Sequence, residues 1–510
     1  MRTQSLFLVL VCFCLSAHGL VAQDHDHNGG EVAFEISCSD EAQKHFEAAL
    51  EHLHHMMYEQ ARPVFEEAIA ADPACAMAHW GVAMTSFQPL WHPTPDEGLA
   101  RGKASVAAAQ ALAAPTEREQ AFIDAVEAFF TDPDPPIDSR AGDHEARLQS
   151  WKEAQRAVHE AYPDDVDAAA FYALASISHA QTQFSPYEER DLSPNIEAGE
   201  LLEEFFDAHP EHPGLFHYLI HAYDNPELAH KAEEAARGYD QIAPETVHAL
   251  HMPSHIFVRM GKWEETIEWN KRSADAALAE MEVDPHASAH YVHALDYIMY
   301  GQLQLGDEEG ARETFERIRE AGEIYPAPFA GYNTAAPQAR YVLERQQWDE
   351  AANLEVAYPD VLPWDNYPAA TALFHYARGL GAARTGDLEQ AEVERDHLAD
   401  AVRALRDAGD TYWAYMTEAL GNAVEAWILY EQDETEPALE LMREAADLED
   451  SMDKHPTSPG EVLPVRELYG ELLLQEGQYE AAKRAFEQSL ERTPNRKNAR
   501  RGLDQIAGAY

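Results

Sequence analysis

Two segments near opposite ends of the 510-residue chain share one spacing of residues. Each begins with an aromatic residue, continues with small or aromatic residues at +3, +7 and +10, and reaches proline at +15. The first segment is YEQARPVFEEAIAADP, in which these positions are Tyr58, Ala61, Phe65, Ala68 and Pro73. The second is YEAAKRAFEQSLERTPN, in which they are Tyr479, Ala482, Phe486, Ser489 and Pro494. Small residues at fixed positions let neighbouring helices approach closely, so the pattern predicts helical hairpins that stack to bury their apolar faces.

This spacing resembles the second half of a tetratricopeptide repeat, with Gly470 at the glycine position of the preceding helix. Weaker copies follow GKWEET, GDEEGA, QQWDEA, GDLEQA and ETEPAL, at spacings of about 40 to 47 residues where the family standard is about 34. The resemblance covers most of residues 39–507 and is loosest between 95 and 210. It implies an all-α solenoid, a right-handed superhelix with a concave groove. We expect two arrays, 39–245 with irregular insertions and 246–510.

The charge balance excludes one class of partner. The chain has 37 Lys+Arg against 92 Asp+Glu, which gives a net charge of −55. Such a field repels phosphate backbones, so nucleic-acid binding is not expected of this acidic protein.

The N-terminus, MRTQSLFLVLVCFCLSAHGLVAQD, has the pattern of a secretory signal. One arginine precedes an apolar run, and small residues follow that run. We therefore predict a signal peptide over 1–22, a flexible segment over 23–38, and an exported protein that is periplasmic or secreted. The apolar run is short for a membrane span, and no later stretch is apolar enough to cross a bilayer, so no transmembrane segment is expected in the mature chain.

Removal of the signal peptide leaves two of the four cysteines, Cys38 and Cys75. Two cysteines in an oxidising compartment are expected to form a disulfide. Both precede predicted helices, and their separation of 37 residues fits two successive helices that start at the same end of a stack.

Histidine is concentrated in the middle of the chain, where 11 of the 26 histidines lie between residues 209 and 293. Two phrases, FHYLIHAYDNP and HALHMPSHIF, each hold a pair at i, i+4, which places both imidazoles on one helix face. Corresponding members of the two pairs are 34 residues apart, one repeat length. The four residues are His217, His221, His251 and His255.

A third phrase, HALDYIMY, places His293 and Asp296 on the corresponding face of the next first helix. In the proteins that the chain resembles, this face lines the concave groove. Imidazole and carboxylate are ligands that zinc, copper and iron prefer, so we predict a transition-metal site there. Its candidate ligands are His217, His221, His251, His255, His293 and Asp296. Secondary groove candidates are His248, Asp224, Tyr300 and His179.

Three interpretations of these histidines stay open: a metal site, a metal-free wall that contacts a ligand, and packing residues alone. Pro253 has two interpretations as well. It either begins a helix, which leaves His251 outside, or bends a helix that runs from about Glu245 to Met260. The 34-residue match favours the bent helix. His54 and His55 are expected to form a solvated surface pair, although one of them could reach the groove.

Several phrases together, among them DPACAMAHWGVAM and DKHPTSPGEVLPVRELYGELLLQEG, resemble a group of exported, histidine-rich bacterial tetratricopeptide-repeat proteins. That resemblance implies the fold and the compartment and brings no activity with it. We expect a binding or scaffold protein whose histidine-lined concave groove takes a peptide, a protein or a small molecule, with a transition metal at the groove as a further hypothesis. The alternative is a metal-dependent enzyme, a hydrolase or oxidoreductase, that uses the same cluster.

Overall fold

Helices follow one another along the chain and pair with their sequence neighbours. The structure, a computed structural model, describes residues 29–183 and 190–509, in which there are 24 α-helices and no strand. The prediction of an all-α fold is confirmed. The predicted signal peptide, 1–22, lies outside the described residues. Among the helices of the described part, none is both long enough and apolar enough to cross a membrane.

Ten helices form the N-terminal part, with a 3-10 turn at Ala229–Ala232. Their bounds are α1 Asp40–His54, α2 Tyr58–Ala71, α3 Ala76–Met84, α4 Asp96–Leu112, α5 Glu117–Phe130, α6 Arg140–Ala161, α7 Val166–Thr182, α8 Ser193–Phe206, α9 Pro213–Tyr223 and α10 Glu233–Ile242.

Fourteen helices form the C-terminal part, with a 3-10 turn at Trp364–Asn366. Their bounds are α11 Val247–His251, α12 Pro253–Arg259, α13 Trp263–Glu280, α14 Ala287–Leu305, α15 Glu308–Arg319, α16 Pro328–Glu344, α17 Trp348–Ala352, α18 Pro368–Thr385, α19 Leu388–Asp407, α20 Thr411–Glu431, α21 Thr435–Asp450, α22 Val465–Gln475, α23 Tyr479–Arg492 and α24 Lys497–Ala509.

The hairpins stack through their first helices. Helix α14 is buried along almost its whole length, whereas its partner α15 buries only Ala311, Thr314 and Ile318. First helices of successive hairpins contact one another, α14 with α16, α16 with α18, and α18 with α20. Contacts between adjacent repeats are the mark of a solenoid, in which each hairpin covers the apolar face of the next.

The aromatic residue at +7 of the shared spacing packs closely against a glycine of the next helix at both ends of the chain. A Cβ atom on Gly81 would lie 2.2 Å from the ring of Phe65, and one on Gly502 would lie 2.4 Å from the ring of Phe486. Gly470 meets the other edge of the Phe486 ring, at 2.7 Å. Real Cβ atoms do not approach a ring so closely, so these positions exclude any larger residue.

Residues 29–38 precede the first helix and fall within the segment expected to be flexible. The structure places Phe34 in the core of the first hairpins, where its ring lies 5.0 Å from that of Phe122 and 5.9 Å from that of Trp80. The Arg118 guanidinium lies 4.0 Å from the same ring on its other side.

A disulfide joins Cys38 to Cys75, with the two Cα atoms 5.2 Å apart. Cys38 directly precedes the Ser39 N-cap of α1, and Cys75 is the N-cap residue of α3. The bond therefore joins the starts of the first two hairpins.

The chain itself occupies the inner face of the C-terminal array. Residues 452–464, which we call the groove segment, lie between α21 and α22 and cross the first helices. Three first helices each provide a tyrosine hydroxyl that donates to a backbone carbonyl of the segment. On α14, Tyr297 donates to Ser458 at 3.2 Å. On α18, Tyr376 donates to Leu463 at 3.2 Å, and on α20, Tyr412 donates to Asp453 at 2.8 Å. From α14 to α20, therefore, the concave face is filled by the protein's own peptide. Binding of a ligand in the groove stays a prediction, and on this stretch the ligand would meet the groove segment.

Candidate metal centre

The two histidine pairs have similar nitrogen separations on consecutive first helices. His217 and His221 project from α9, with their Nε2 atoms 3.1 Å apart. His251 and His255 project from α11 and α12, with their Nε2 atoms 3.0 Å apart. The rings of His221 and His255 are 5.8 Å apart, so the pairs adjoin. The 34-residue offset thus repeats the nitrogen separation but not the ring orientation, since the two rings meet at 34° in the first pair and at 83° in the second.

Pro253 begins a helix, and the chain directly before it is helical as well. Helix α11 ends at His251 and α12 begins at Pro253. Met252, between them, keeps helical dihedral angles, and its backbone N–H donates to the carbonyl of His248 at 3.0 Å. Because the path stays helical, His251 and His255 still face each other as residues at i and i+4.

Hydrogen bonds fix the proton of His251 on Nδ1. The amide nitrogen of Asn270 donates to the carbonyl of Thr266 at 2.8 Å, so the amide oxygen of Asn270 points towards His251. That oxygen lies 2.8 Å from His251 Nδ1 and can only accept, which assigns the proton to Nδ1. In the neutral ring the Nε2 atom then carries a lone pair.

The same reasoning fixes the proton of His255. Its Nδ1 lies 2.9 Å from a carboxylate oxygen of Asp224, and the Lys454 ammonium is farther away, at 3.4 Å. The carboxylate only accepts, so Nδ1–H donates to it and Nε2 of His255 also carries a lone pair.

Two lone pairs therefore face each other across 3.0 Å, between His251 and His255. This contact is repulsive unless a proton or a metal ion lies between the two nitrogens, and burial disfavours the proton. Two imidazoles on one tetrahedral zinc ion, at Zn–N of about 2.0–2.1 Å, hold their nitrogens about 3.4 Å apart, so a small separation of the rings would admit the ion. The His217–His221 pair has no such conflict. His217 Nδ1 donates to the carbonyl of His54 at 2.7 Å, and its Nε2 can accept from His221.

His293 and His248 supply further nitrogen atoms. Ligand atoms of His251, His255 and His293 all lie within 4.8 Å of one another. Both ring nitrogens of His248 are buried without a hydrogen-bond partner, whereas His293 interacts with the Asn333 side chain. A buried polar atom left unpaired costs about 1–3 kcal/mol, so two such atoms on one ring beside the cluster indicate a missing partner.

A small cavity lies among these rings. It is lined by His221, His248, His255, His290 and His293, together with Trp91, Phe329 and residues of the groove segment, and its volume is about 20 Å³. A cavity needs about 10–15 Å³ to hold one water molecule, so this one has room for a single small occupant.

Burial keeps the cluster neutral. Loss of hydration lowers the pKa of His255 to about 4, and repulsion from Lys454 adds to the effect. Loss of hydration also lowers the pKa of His293 to about 3, although its interaction with Asn333 acts in the opposite sense. Burial, followed by repulsion from His293, lowers the pKa of His251 well below its ordinary value. A metal binds neutral imidazole, so the ligands are in the binding form at neutral pH without loss of a proton.

Asp224 anchors the cluster through charge. Burial acts to raise the pKa of its carboxyl, but Lys454 and Arg259 outweigh burial and hold that pKa well below the ordinary value. The Lys454 ammonium lies 2.6 Å from one carboxylate oxygen, and Arg259 Nε lies 2.9 Å from the other. Asp224, predicted as a secondary candidate, therefore orients His255 and ties the groove segment to α12, in the manner of a carboxylate behind a ligating histidine.

Two predicted residues turn away from the histidines. Asp296 pairs with Arg340 at 3.3 Å, and burial raises the pKa of Asp296 to about 6 while Arg340 acts in the opposite sense. The Tyr300 hydroxyl accepts from Arg496 at 2.7 Å. Asp296 and Tyr300 thus lie among buried arginines that hold the groove segment and α24. Asp296 is not in the ligand group that His293 joins.

His179 lies apart from the cluster, half-buried near the end of α7. Its charged neighbours are Glu145, Lys152 and Glu153 of α6, so it faces the neighbouring helix and not the cavity.

Two residues of the site, Asn270 and His290, were not predicted from the sequence. Asn270 lies on the outer helix of its hairpin, where no spacing rule places a partner of His251. His290 could have been found, since it precedes His293 by three residues on the same helix face.

A second buried group joins α1, α7 and the start of α9. Asp167 Oδ1 lies 2.9 Å from His54 Nε2 and 3.3 Å from His212 Nε2, and the other nitrogen of His54 lies 3.1 Å from the Tyr218 hydroxyl. Ordinary tautomers satisfy every contact of His54 here.

His54 and its neighbour His55 are both fully buried, and His55 Nδ1 is hydrogen-bonded to the Tyr239 hydroxyl. The expected solvated pair is therefore wrong, because α9 and α10 fold over the end of α1.

Comparison with known proteins supports the repeat architecture locally. A tetratricopeptide repeat family model matches residues 464–496. None of the curated proteins matches the chain.

Solved structures similar to this chain are helical-repeat proteins at low identity. The Cut9–Hcn1 hetero-tetramer of the APC/C aligns at 12% identity over 92% of this chain and 96% of that one, with a TM-score of 0.30. Yeast Tom70 aligns at 10% identity over 92% and 95%, with a TM-score of 0.32. Such TM-scores support no conclusion about function, and the solenoid description rests on the helix contacts above and on the matched repeat.

Proposed function

We propose that the protein is an exported metal-binding protein, in which a helical-repeat scaffold encloses one transition-metal ion. His251, His255 and His293 are the ligands, and His248 is positioned to complete the set. Four neutral nitrogen ligands suit zinc, copper(II), nickel and iron(II) better than calcium or magnesium, which prefer oxygen.

One observation carries this proposal: the two Nε2 lone pairs that face each other across 3.0 Å. Asn270 and Asp224 accept from the Nδ1–H groups of His251 and His255. If either neutral imidazole moved its proton to Nε2, it would lose this buried hydrogen bond. Loss of such a bond costs about 1–3 kcal/mol. An ion in the gap satisfies both nitrogens at once.

The small volume of the cavity favours metal binding over catalysis as the function of this site. A space of about 20 Å³ admits an ion or one water molecule, and no substrate of ordinary size fits beside them. A peptide partner on the inner face of α14 to α20 would have to displace the groove segment, so we place metal binding ahead of partner binding as the function of this region.

The test is metal content and stability of two matched variants. His251→Asn retains an N–H that can donate to Asn270 but removes the Nε2 ligand, whereas His179→Ala removes a histidine outside the cluster. The wild type and His179→Ala should bind one equivalent of zinc or another transition metal. Metal at about a thousand times its Kd should stabilise both proteins by about 4 kcal/mol. His251→Asn should lose the bound metal and the stabilisation while its circular dichroism stays helical.

A wild-type protein that holds no transition metal after untagged purification, and does not shift in melting temperature with added zinc, copper or iron, contradicts the proposal. Export is tested separately, by the compartment in which the native host holds the protein and by the mass of its mature N-terminus.

A further inference from the structure

A buried ligand set raises the question of how an ion reaches it. Removing a cation from water is costly, of order 20 kcal/mol for a singly charged ion moved into an apolar interior. An ion can therefore move inwards only where protein ligands replace its water molecules one after another.

One helix supplies such ligands in a row. His286, the N-cap residue of α14, is followed by His290 and His293 at i+4 and i+7, so the three side chains share one face of the helix. His286 and His290 are both of intermediate exposure, with 31% of the His286 side chain exposed, and His293 is buried. The row therefore runs from the surface to the proposed centre.

A surface pocket lies at the outer end of this row. Its volume is about 380 Å³, and it is lined by His286 and His290 among others. His286 Nδ1 lies 2.6 Å from Asp284 Oδ1, a carboxylate placed to support a histidine ligand. The net charge of −55 raises the concentration of cations near any such opening.

The pocket and the inner cavity share one wall. Trp91, His290 and Phe329 line both spaces. Their rings contact each other, with centroids of Trp91 and Phe329 6.0 Å apart and those of His290 and Phe329 5.8 Å apart. On the inner side, His290 lies 5.8 Å from the ring of His248, whose nitrogens have no partner. His290 is thus the one metal ligand in an otherwise aromatic wall.

We propose that a divalent transition-metal ion enters along α14, binding first at His286 in the surface pocket, then at His290 in the wall, and finally at His293 in the centre. Trp91 and Phe329 form the gate through which the ion passes. This inference rests on the proposed metal centre and adds to it a transient binding site and an access route. No bond other than metal–ligand bonds forms or breaks, and each protein nitrogen replaces one water molecule of the ion.

Loading of the metal-free protein with Co²⁺, followed by the visible absorption of the bound ion, tests the route. His290→Leu keeps the wall filled but removes the ligand. It should reach the same final absorption as the wild type, at a rate at least about tenfold lower, or about 1.4 kcal/mol in the barrier. Trp91→Ala opens the wall and should load faster than the wild type. His179→Ala should load at the wild-type rate.

Equal loading rates for His290→Leu and the wild type would overturn the route while leaving the centre intact. Loss of final absorption in His290→Leu would also overturn it, since His290 would then belong to the centre itself. If the wild type binds no Co²⁺ at any time, the proposed function fails, and that outcome is distinct from both.

Discussion

At the scale of single residues, proton positions distinguish the two histidine groups. Around Asp167, each hydrogen bond of His54 has a donor and an acceptor, and the unpaired ring nitrogen is His212 Nδ1. Around His251 and His255, partners on the outer sides force both lone pairs inwards. The two clusters look equivalent as sets of residue types, but only in the second do two lone pairs face each other.

Asn270 provides a prediction at this scale. Asn270→Leu removes the acceptor for His251 Nδ1–H, so the ring is free to turn and is a weaker ligand. We expect metal affinity to fall by about 10–100-fold, as for other partners behind ligating histidines. Titration with zinc against a competing chelator measures the change.

Asn270→Asp is the comparison variant: it keeps an acceptor for His251 Nδ1–H but loses the hydrogen bond to the Thr266 carbonyl, so it should retain more of the affinity than Asn270→Leu. Equal affinities for the leucine variant and the wild type would mean that Asn270 does not orient the ligand.

At the scale of elements, the contact between an aromatic ring and glycine sets how closely successive helices approach. Phe65 and Phe486 are each followed 16 residues later by a glycine, Gly81 on α3 and Gly502 on α24. Both glycines lie against the ring of the preceding helix. The equivalence explains why one spacing recurs at both ends of the chain.

Gly81→Ala is predicted to destabilise the N-terminal array. The added methyl group would lie 2.2 Å from the Phe65 ring, so the helices must separate. Overpacking of this kind costs about 1–3 kcal/mol, seen as a lower melting temperature. Gly508→Ala is the control, since its Cβ would meet nothing within 4 Å, and alanine there should be neutral or slightly stabilising. Similar melting temperatures for both variants would contradict the contact.

At the scale of the whole molecule, segments near the C-terminal end of the array contact helices in the middle of the chain. The groove segment lies across α14 to α20, Lys454 reaches Asp224, and the carbonyl of Asn495 accepts from the Trp263 indole at 3.3 Å. These contacts join residues about 230 positions apart in sequence. Pro456 and Thr457 of the segment line the histidine cavity, so the shape of the cavity depends on this long-range contact.

Removal of hydrogen bonds to the groove segment is predicted to expose the backbone of the segment to solvent. Tyr376→Phe and Tyr412→Phe each remove a hydroxyl that donates to its backbone, and each should cost about 1 kcal/mol. The double variant should exchange amide protons faster within 452–464 and release bound metal faster. Tyr162→Phe, outside the groove, should do neither. Unchanged exchange in the double variant would show that the remaining contacts, such as those of Tyr297, Lys454 and Arg340, hold the segment without these two hydroxyls.

The sequence by itself determined the all-α repeat architecture, the disulfide partners and the face of the helices on which His217, His221, His251, His255 and His293 lie. These features depend on local spacing, because residues at i and i+4 share a helix face wherever the helix lies. Only the tertiary structure decided that the concave face is filled, that Asp296 pairs with Arg340, that His54 is buried, and that Asn270 and Asp224 fix the protons of His251 and His255. Those outcomes depend on contacts between distant segments, and neither helical periodicity nor repeat length encodes which segment covers which.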